Sequence, residues 1–207
     1  MRTTTNPSRI LILYDTESGN TYRMAQRVAR GVNSVANAEA VVRAVPKVGE
    51  RQSERLPEVP ATGAPWAEQQ DLADCDGLIL GSPTHFGLMS AAMKHFIDQS
   101  TPLWFSGGLR GKPAAAFTST GSMHGGQEQT LLTMLTPLLH HGMLILGLPY
   151  SEPELMQTTR GGTPYGASHV SGESGTEPLD TAEETLCRAL GARVARFAEA
   201  TRGLQGV

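Results

Sequence analysis

Short apolar runs alternate along the chain with segments whose apolar residues recur every three or four positions. Ile10 to Tyr14 is a continuous apolar run, as expected of a strand covered on both faces. Met24, Val28 and Val32 then recur at helical spacing and predict a helix with one apolar stripe. Ala40 to Val45 reads as a weaker second strand, Gly77 to Gly81 as a third, Pro113 to Thr118 as a fourth and Met143 to Leu146 as a fifth. Between them, Ser90 to Asp98 carries Met93, Phe96 and Ile97 at helical spacing, and Gln127 to His141 carries Leu131, Leu132, Leu135, Leu138 and Leu139. Leu186, Leu190, Val194 and Phe197 mark a last helix. Five strands with intervening helices specify an α/β fold with a doubly wound parallel sheet, and right-handed crossovers place helices on both faces. Pro46 to Gln70 and Leu148 to Asp180 exceed ordinary connections, and loops of that length usually carry function or lack order. No repeat or interdomain linker is visible, so residues 1–207 are expected to form one domain with an ordered core over about 10–200.

In such a sheet ligands bind beyond the carboxyl ends of the strands, where the strand order reverses. The residues after strands one, three and four are therefore the candidates. After strand one, Thr16, Glu17, Ser18, Gly19, Asn20 and Thr21 lead directly into a helix. Hydroxyls and unpaired amides at a helix N-terminus suit a phosphate; the same residues also suit an ordinary helix cap. There is neither a Gly-Lys-Ser/Thr loop nor a GxGxxG fingerprint. Glu17 must point away from any phosphate held here. After strand three, Thr84, His85, Phe86 and Gly87 offer a stacking surface with polar donors, or a plain connection with a solvated histidine. After strand four, Ser119, Thr120, Gly121, Ser122, Gly125 and Gly126 would let backbone amides approach a flat ligand, or form a mobile surface loop. One crevice holding a phosphate at the first loop and a flat heteroaromatic ring between the others describes a mononucleotide-like flavin.

Composition narrows the field further. A formal net charge of −3 with no basic stripe gives no sign of nucleic acid as a main partner. Cys75 and Cys187 lie far apart and outside any CxxC pair, which argues against a disulfide framework and a metal site; both read as buried, inert thiols. The polar start and the five-residue run at Ile10 are too short for a signal peptide, and no stretch approaches the ~18 apolar residues of a membrane span. A soluble, cytoplasmic protein is expected.

Gly81 to Gly87, Gly125-Gly126-Gln127-Glu128, His140-His141-Gly142 and Arg160 to Ala167 together resemble the WrbA family of flavodoxin-like NAD(P)H:quinone oxidoreductases. The likeness runs from about Ile10 to about Ala200. It implies the flavodoxin-like strand order 2-1-3-4-5, bound FMN, NADH or NADPH as co-substrate, two-electron reduction of a quinone and a homotetramer. By position it assigns Thr16 to Thr21 to the phosphate loop, Thr84 to Phe86 to the ring-binding turn and Ser119 to Ser122 to a third flavin loop. It also assigns His140 to a flavin contact and Trp104 to the substrate side of the ring. Read from the sequence alone, His140 also suits a core position beside Leu139, and Trp104 suits plain packing. Many members carry an aromatic residue where Ser18 stands and Arg where His85 stands, which bears on nicotinamide preference. A one-electron carrier and a regulatory FMN-binding protein are the alternatives; the modest acidity favours the enzyme.

Overall fold

The computed structural model describes residues 6–49, 60 and 63–203, so residues 50–59, 61 and 62 of the long segment after the second strand lie outside it. The strands are β1 (Ser8–Tyr14), β2 (Ala38–Ala44), β3 (Gly77–Pro83), β4 (Pro113–Thr120), β5 (Leu144–Ile145) and β6 (Ala167–Val170). The helices are α1 (Asn20–Asn33), α2 (Gln69–Asp74), α3 (Ala91–Asp98), α4 (Thr101–Phe105), α5 (Gln127–His140), α6 (Glu154–Gln157) and α7 (Thr181–Thr201). The sheet order is β2-β1-β3-β4-β5 and every pairing is parallel, as the resemblance implied.

The fifth place in the sheet departs from the expectation of a single strand. Two short strands share it, both paired to β4: β5 along Pro113–Ala114 and β6 along Phe117–Thr120. The segment between them carries α6 and closes back on the sheet. The long Leu148–Asp180 segment is therefore partly sheet, and β6 is buried at all four residues. Its Ser and His content hid the strand, because β6 buries Ser168 and His169 rather than a run of aliphatic residues.

The alternating side chains of the strands build two cores. Ile10, Ile12, Tyr14, Ile79, Ala115 and Phe117 pack under α1 and α7. Leu11, Leu13, Leu78, Leu80, Ala114 and Ala116 pack under α2, α3 and α5. Fully burying each Leu or Ile contributes ~1.5–3 kcal/mol, so the two layers dominate the stability. α1 and α7 meet through glycines: a Cβ at Gly31 would lie 2.0 Å from the Arg188 carbonyl oxygen, and one at Gly191 would lie 2.1 Å from that of Val28. That close crossing sets α1, and with it the loop that precedes it. Both cysteines are buried, and desolvation pushes the Cys75 thiol up to about 11.

Candidate functional site

Three loops leave the carboxyl ends of β1, β3 and β4 side by side, because those strands are neighbours in the sheet. The first reaches α1 through Gly19, which adopts φ +85° and leaves the helix N-terminus without a side-chain cap or an acid in its first turn. A Cβ at Gly19 would meet nothing within 4 Å, so open space adjoins the unpaired amides. The loop is held from below: Thr16 N donates to Asp15 Oδ1 at 2.9 Å, and Gly19 N donates to Thr16 Oγ1 at 3.0 Å. Asn20 Nδ2 donates to Ser18 Oγ at 3.0 Å and to the Gly175 carbonyl at 2.8 Å, which draws the long loop against this one.

The turn after β3 is a two-residue hairpin. His85 and Leu88 exchange backbone hydrogen bonds at 2.9 and 3.0 Å, with Phe86 at φ +54° and Gly87 at φ +78°. Positive φ at both central residues is the type I′ form, for which Asn-Gly is the favoured pair and a bulky aromatic is strained. Phe86 is fully exposed at its tip. Thr84 fixes the base of the turn, with its Oγ1 3.1 Å from Thr130 Oγ1 and its amide donating to the Ser119 carbonyl at 3.0 Å. His85 Nε2 lies 3.7 Å from Glu17 Oε1, beyond hydrogen-bond reach, and faces the first loop across the crevice. Glu17 itself is exposed and turned toward His85.

The third loop, Gly121 to Gly126, ends in a second helix N-terminus without a side-chain cap, though here Glu128 stands in the first turn. Gly126 has φ +93° and provides no side-chain cap to α5, and a Cβ there would touch Gly87 Cα at 3.2 Å. The second and third loops are thus packed together. Ser171 N donates to the Thr120 carbonyl at 2.8 Å, and Gly172 lies beside Gly121, so β6 braces the third loop from the sheet edge. Residues 16–21, 84–87 and 119–126 thus lie side by side at the sheet edge, with His85 facing Glu17 and Gly126 packed on Gly87; a cavity of about 300 Å³ opens on the β2 side of the first loop, lined by Asp15, Thr16, Glu17, Gly19, Lys47 and Trp66.

His140 and Trp104 do not join them within the chain. His140 ends α5, whose first turn meets the crevice, so about 20 Å of helix separates the two at 1.5 Å per residue. Trp104, in α4, donates from Nε1 to the His140 carbonyl at 2.7 Å. His140 is exposed and is not a core residue; the core role falls to His141. Ser100 Oγ donates to the Ile97 carbonyl at 2.6 Å, so the 2.9 Å contact with His141 Nε2 is donated by the ring, and Nδ1 is left without a partner. Burial, and then the neighbouring His140, lower the His141 pKa. Trp104, His140 and His141 line a largely apolar cavity of about 460 Å³ between α3, α4 and α5.

The sequence reading missed Asp15, Lys47, Gly172 and Gly175. Lys47 follows β2 in a Pro-rich stretch, and only the pairing of β2 with β1 brings it to the first loop. The two glycines lie past β6 and reach the crevice only because β6 pairs with β4.

Residues 8–151 match the model of the NADPH-dependent FMN reductases. The chain belongs to that family. Among its relatives, a protein of Acidithiobacillus ferrooxidans named NAD(P)H dehydrogenase (quinone) is 44% identical over 96% of this chain and the whole of its own length. A protein of the same name from Trichlorobacter lovleyi is 41% identical over 92% of this chain and 97% of its own. Among solved structures, a WrbA-like flavodoxin from Agrobacterium tumefaciens superposes with a TM-score of 0.67 at 26% identity, covering 93% of this chain and 98% of its own. An archaeal flavodoxin shares the fold at 20% identity and a TM-score of 0.60. The first loop fits the phosphate of the family's FMN: the α1 N-terminus has neither a side-chain cap nor an acid in its first turn, and open space adjoins Gly19. Among the described residues, no helix is long and apolar enough to cross a membrane.

Proposed function

We propose that the protein is an FMN-dependent NAD(P)H:quinone oxidoreductase of the WrbA kind, a single flavodoxin-like domain that works as a homotetramer. The observation that carries this reading is the convergence of three preorganised loops and two uncapped helix N-termini at the β1–β3–β4 edge, in a chain 44% identical to a quinone-reducing relative. Bound FMN supplies a ring that takes two electrons from a nicotinamide and passes them to a quinone. The amides of α1, with the hydroxyls of Thr16, Ser18 and Thr21, hold the phosphate. Thr84 to Gly87 and Ser119 to Ser122 hold the ring, and Phe86 forms an apolar wall over the substrate face.

His140 and Trp104 act on the crevice of a neighbouring subunit, since the length of α5 keeps them from their own. An exposed apolar surface supports such assembly: Phe105, Leu139 and Trp104 are 78%, 60% and 45% exposed at this end of the molecule. His140 then binds or protonates substrate there, and Trp104 excludes water.

The cofactor reading is tested by heat release, chromatographic identification and a Ser18→Asp variant. FMN is the expected product. Ser18 is exposed, so a carboxylate fits without repacking. At ~4 Å and an effective dielectric near 20 two charges interact by ~4 kcal/mol, and a quarter of that is a roughly fivefold weaker FMN complex. Recovery of FAD, or an unchanged FMN titration, contradicts this placement of the phosphate.

A further inference from the structure

The first loop contains no Lys or Arg between Thr16 and Thr21, yet two carboxylates stand in or beside it, Asp15 and Glu17. Asp15 is buried, only 4% exposed, at the end of β1. A phosphate placed on the adjoining amides would meet its charge. The compensating cation comes from another part of the chain. Val45 N donates to the Tyr14 carbonyl at 2.9 Å, extending the β1–β2 pairing, and Lys47 then reaches back across the end of β1. Its Nζ lies 2.5 Å from Asp15 Oδ1 and donates to the Thr16 carbonyl at 2.8 Å. Asp15 Oδ1 in turn holds the Thr16 amide. The other cation close by, Arg23, is engaged with the Asn20 carboxamide instead.

We propose that Lys47 is the positioning residue of the phosphate loop, neutralising Asp15 and fixing Thr16 so that the loop amides accept a phosphate dianion. This rests on the FMN reading above. An ammonium has three donors; two are used here, and the third is without an acceptor among the described residues. Lys47 therefore contributes long-range attraction to the phosphate as well as loop geometry. The isolated exposed ion pair is a weak interaction, but here one partner is buried and would otherwise be left as an uncompensated charge at the site.

Full-length protein freed of flavin, as parent, Lys47→Met, Lys47→Arg and Lys47→Met/Asp15→Asn, is titrated with FMN and with riboflavin, which lacks the phosphate. Lys47→Met is expected to raise the FMN Kd about tenfold, the factor carried by ~1.4 kcal/mol, and to leave the riboflavin Kd unchanged. Lys47→Arg retains most of the FMN affinity, and the double variant recovers part of the loss because the carboxylate that needed a cation is gone. An unchanged FMN Kd in Lys47→Met overturns the inference. So does an equal loss of FMN and riboflavin accompanied by a lower melting temperature, which would make Lys47 a clasp of the fold alone. A parent that binds no FMN defeats the functional reading itself and this inference with it; a parent that binds FMN as well as Lys47→Met does defeats the inference only.

Discussion

Phe86 occupies a backbone conformation that an aromatic residue avoids, and it does so fully exposed to solvent. Local stability would place Asn there, since Asn-Gly is the preferred type I′ pair. Left-handed backbone costs ~1–2 kcal/mol in a residue with a Cβ, and strain of that kind concentrates at functional sites. Phe86→Asn should therefore raise the flavin-free melting temperature by ~2–4 °C, for ~1 kcal/mol in a chain of this size, while raising KM for the quinone. Differential scanning calorimetry and steady-state kinetics on one preparation read both. A variant that melts lower with unaltered KM would mean that Phe86 serves the fold. Residue identity announced the turn through Gly81, Pro83 and Gly87, but not its type, because no local pattern predicts a phenylalanine at positive φ.

Among the elements, β6 was the least legible, and the residues that follow it brace the first and third loops through Gly175 and Ser171. It is anchored by Glu183, buried in the first turn of α7. Glu183 accepts from the amides of Gly161, Val170 and Asp180 and pairs with His169 Nδ1 at 2.8 Å. Burial alone would raise its pKa, but the hydrogen bonds from His169, Val170 and Asp180 outweigh this and hold it below the ordinary 4.5. A depressed carboxylate stabilises the fold fully above its unfolded value and loses that contribution as pH falls through the folded one. Stability should therefore decline below about pH 4.5 as Glu183 protonates. Glu183→Gln should lower stability at neutral pH by ~1–3 kcal/mol, the usual effect of leaving a buried hydrogen-bonding group mismatched, and flatten the acid limb. Urea unfolding from pH 3 to 8 measures both, and an acid limb as steep as the parent's would rule Glu183 out as its source. The five runs were legible because each is mainly apolar and bounded by polar turns, the second least so because Arg43 interrupts it. β6 was not, since its inward side chains are a serine and a histidine satisfied by hydrogen bonds. Helices α2, α4 and α6 have six, five and four residues, too few for a period to register.

At the scale of the whole molecule, the fold separates two groups that the sequence reading joined. The three candidate loops lie at one end of α5, and His140 and Trp104 at the other. Of the Leu148–Asp180 segment the stretch Gly166–Ser171 is buried within its own chain; the exposed Phe105, Leu139 and Trp104 are the surface that argues for assembly. If His140 serves a neighbour, two inactive variants should complement each other. Ser18→Asp, used at an FMN concentration that leaves it largely empty, still presents His140, and His140→Ala still binds FMN. Mixed by unfolding and refolding together, the pair should regain a substantial fraction of quinone reductase activity. No recovery, in mixed oligomers shown by mass to have formed, would place His140 outside the reaction centre of its neighbour.

The most direct test of the account is steady-state oxidation of NADH and of NADPH by the FMN-loaded protein, with and without benzoquinone and under exclusion of oxygen. The account predicts oxidation that requires the quinone, yields one quinol for each nicotinamide oxidised, and disappears when FMN is removed and returns when it is restored. Nicotinamide oxidation indifferent to quinone and to FMN, or no turnover by protein fully loaded with FMN, would contradict it.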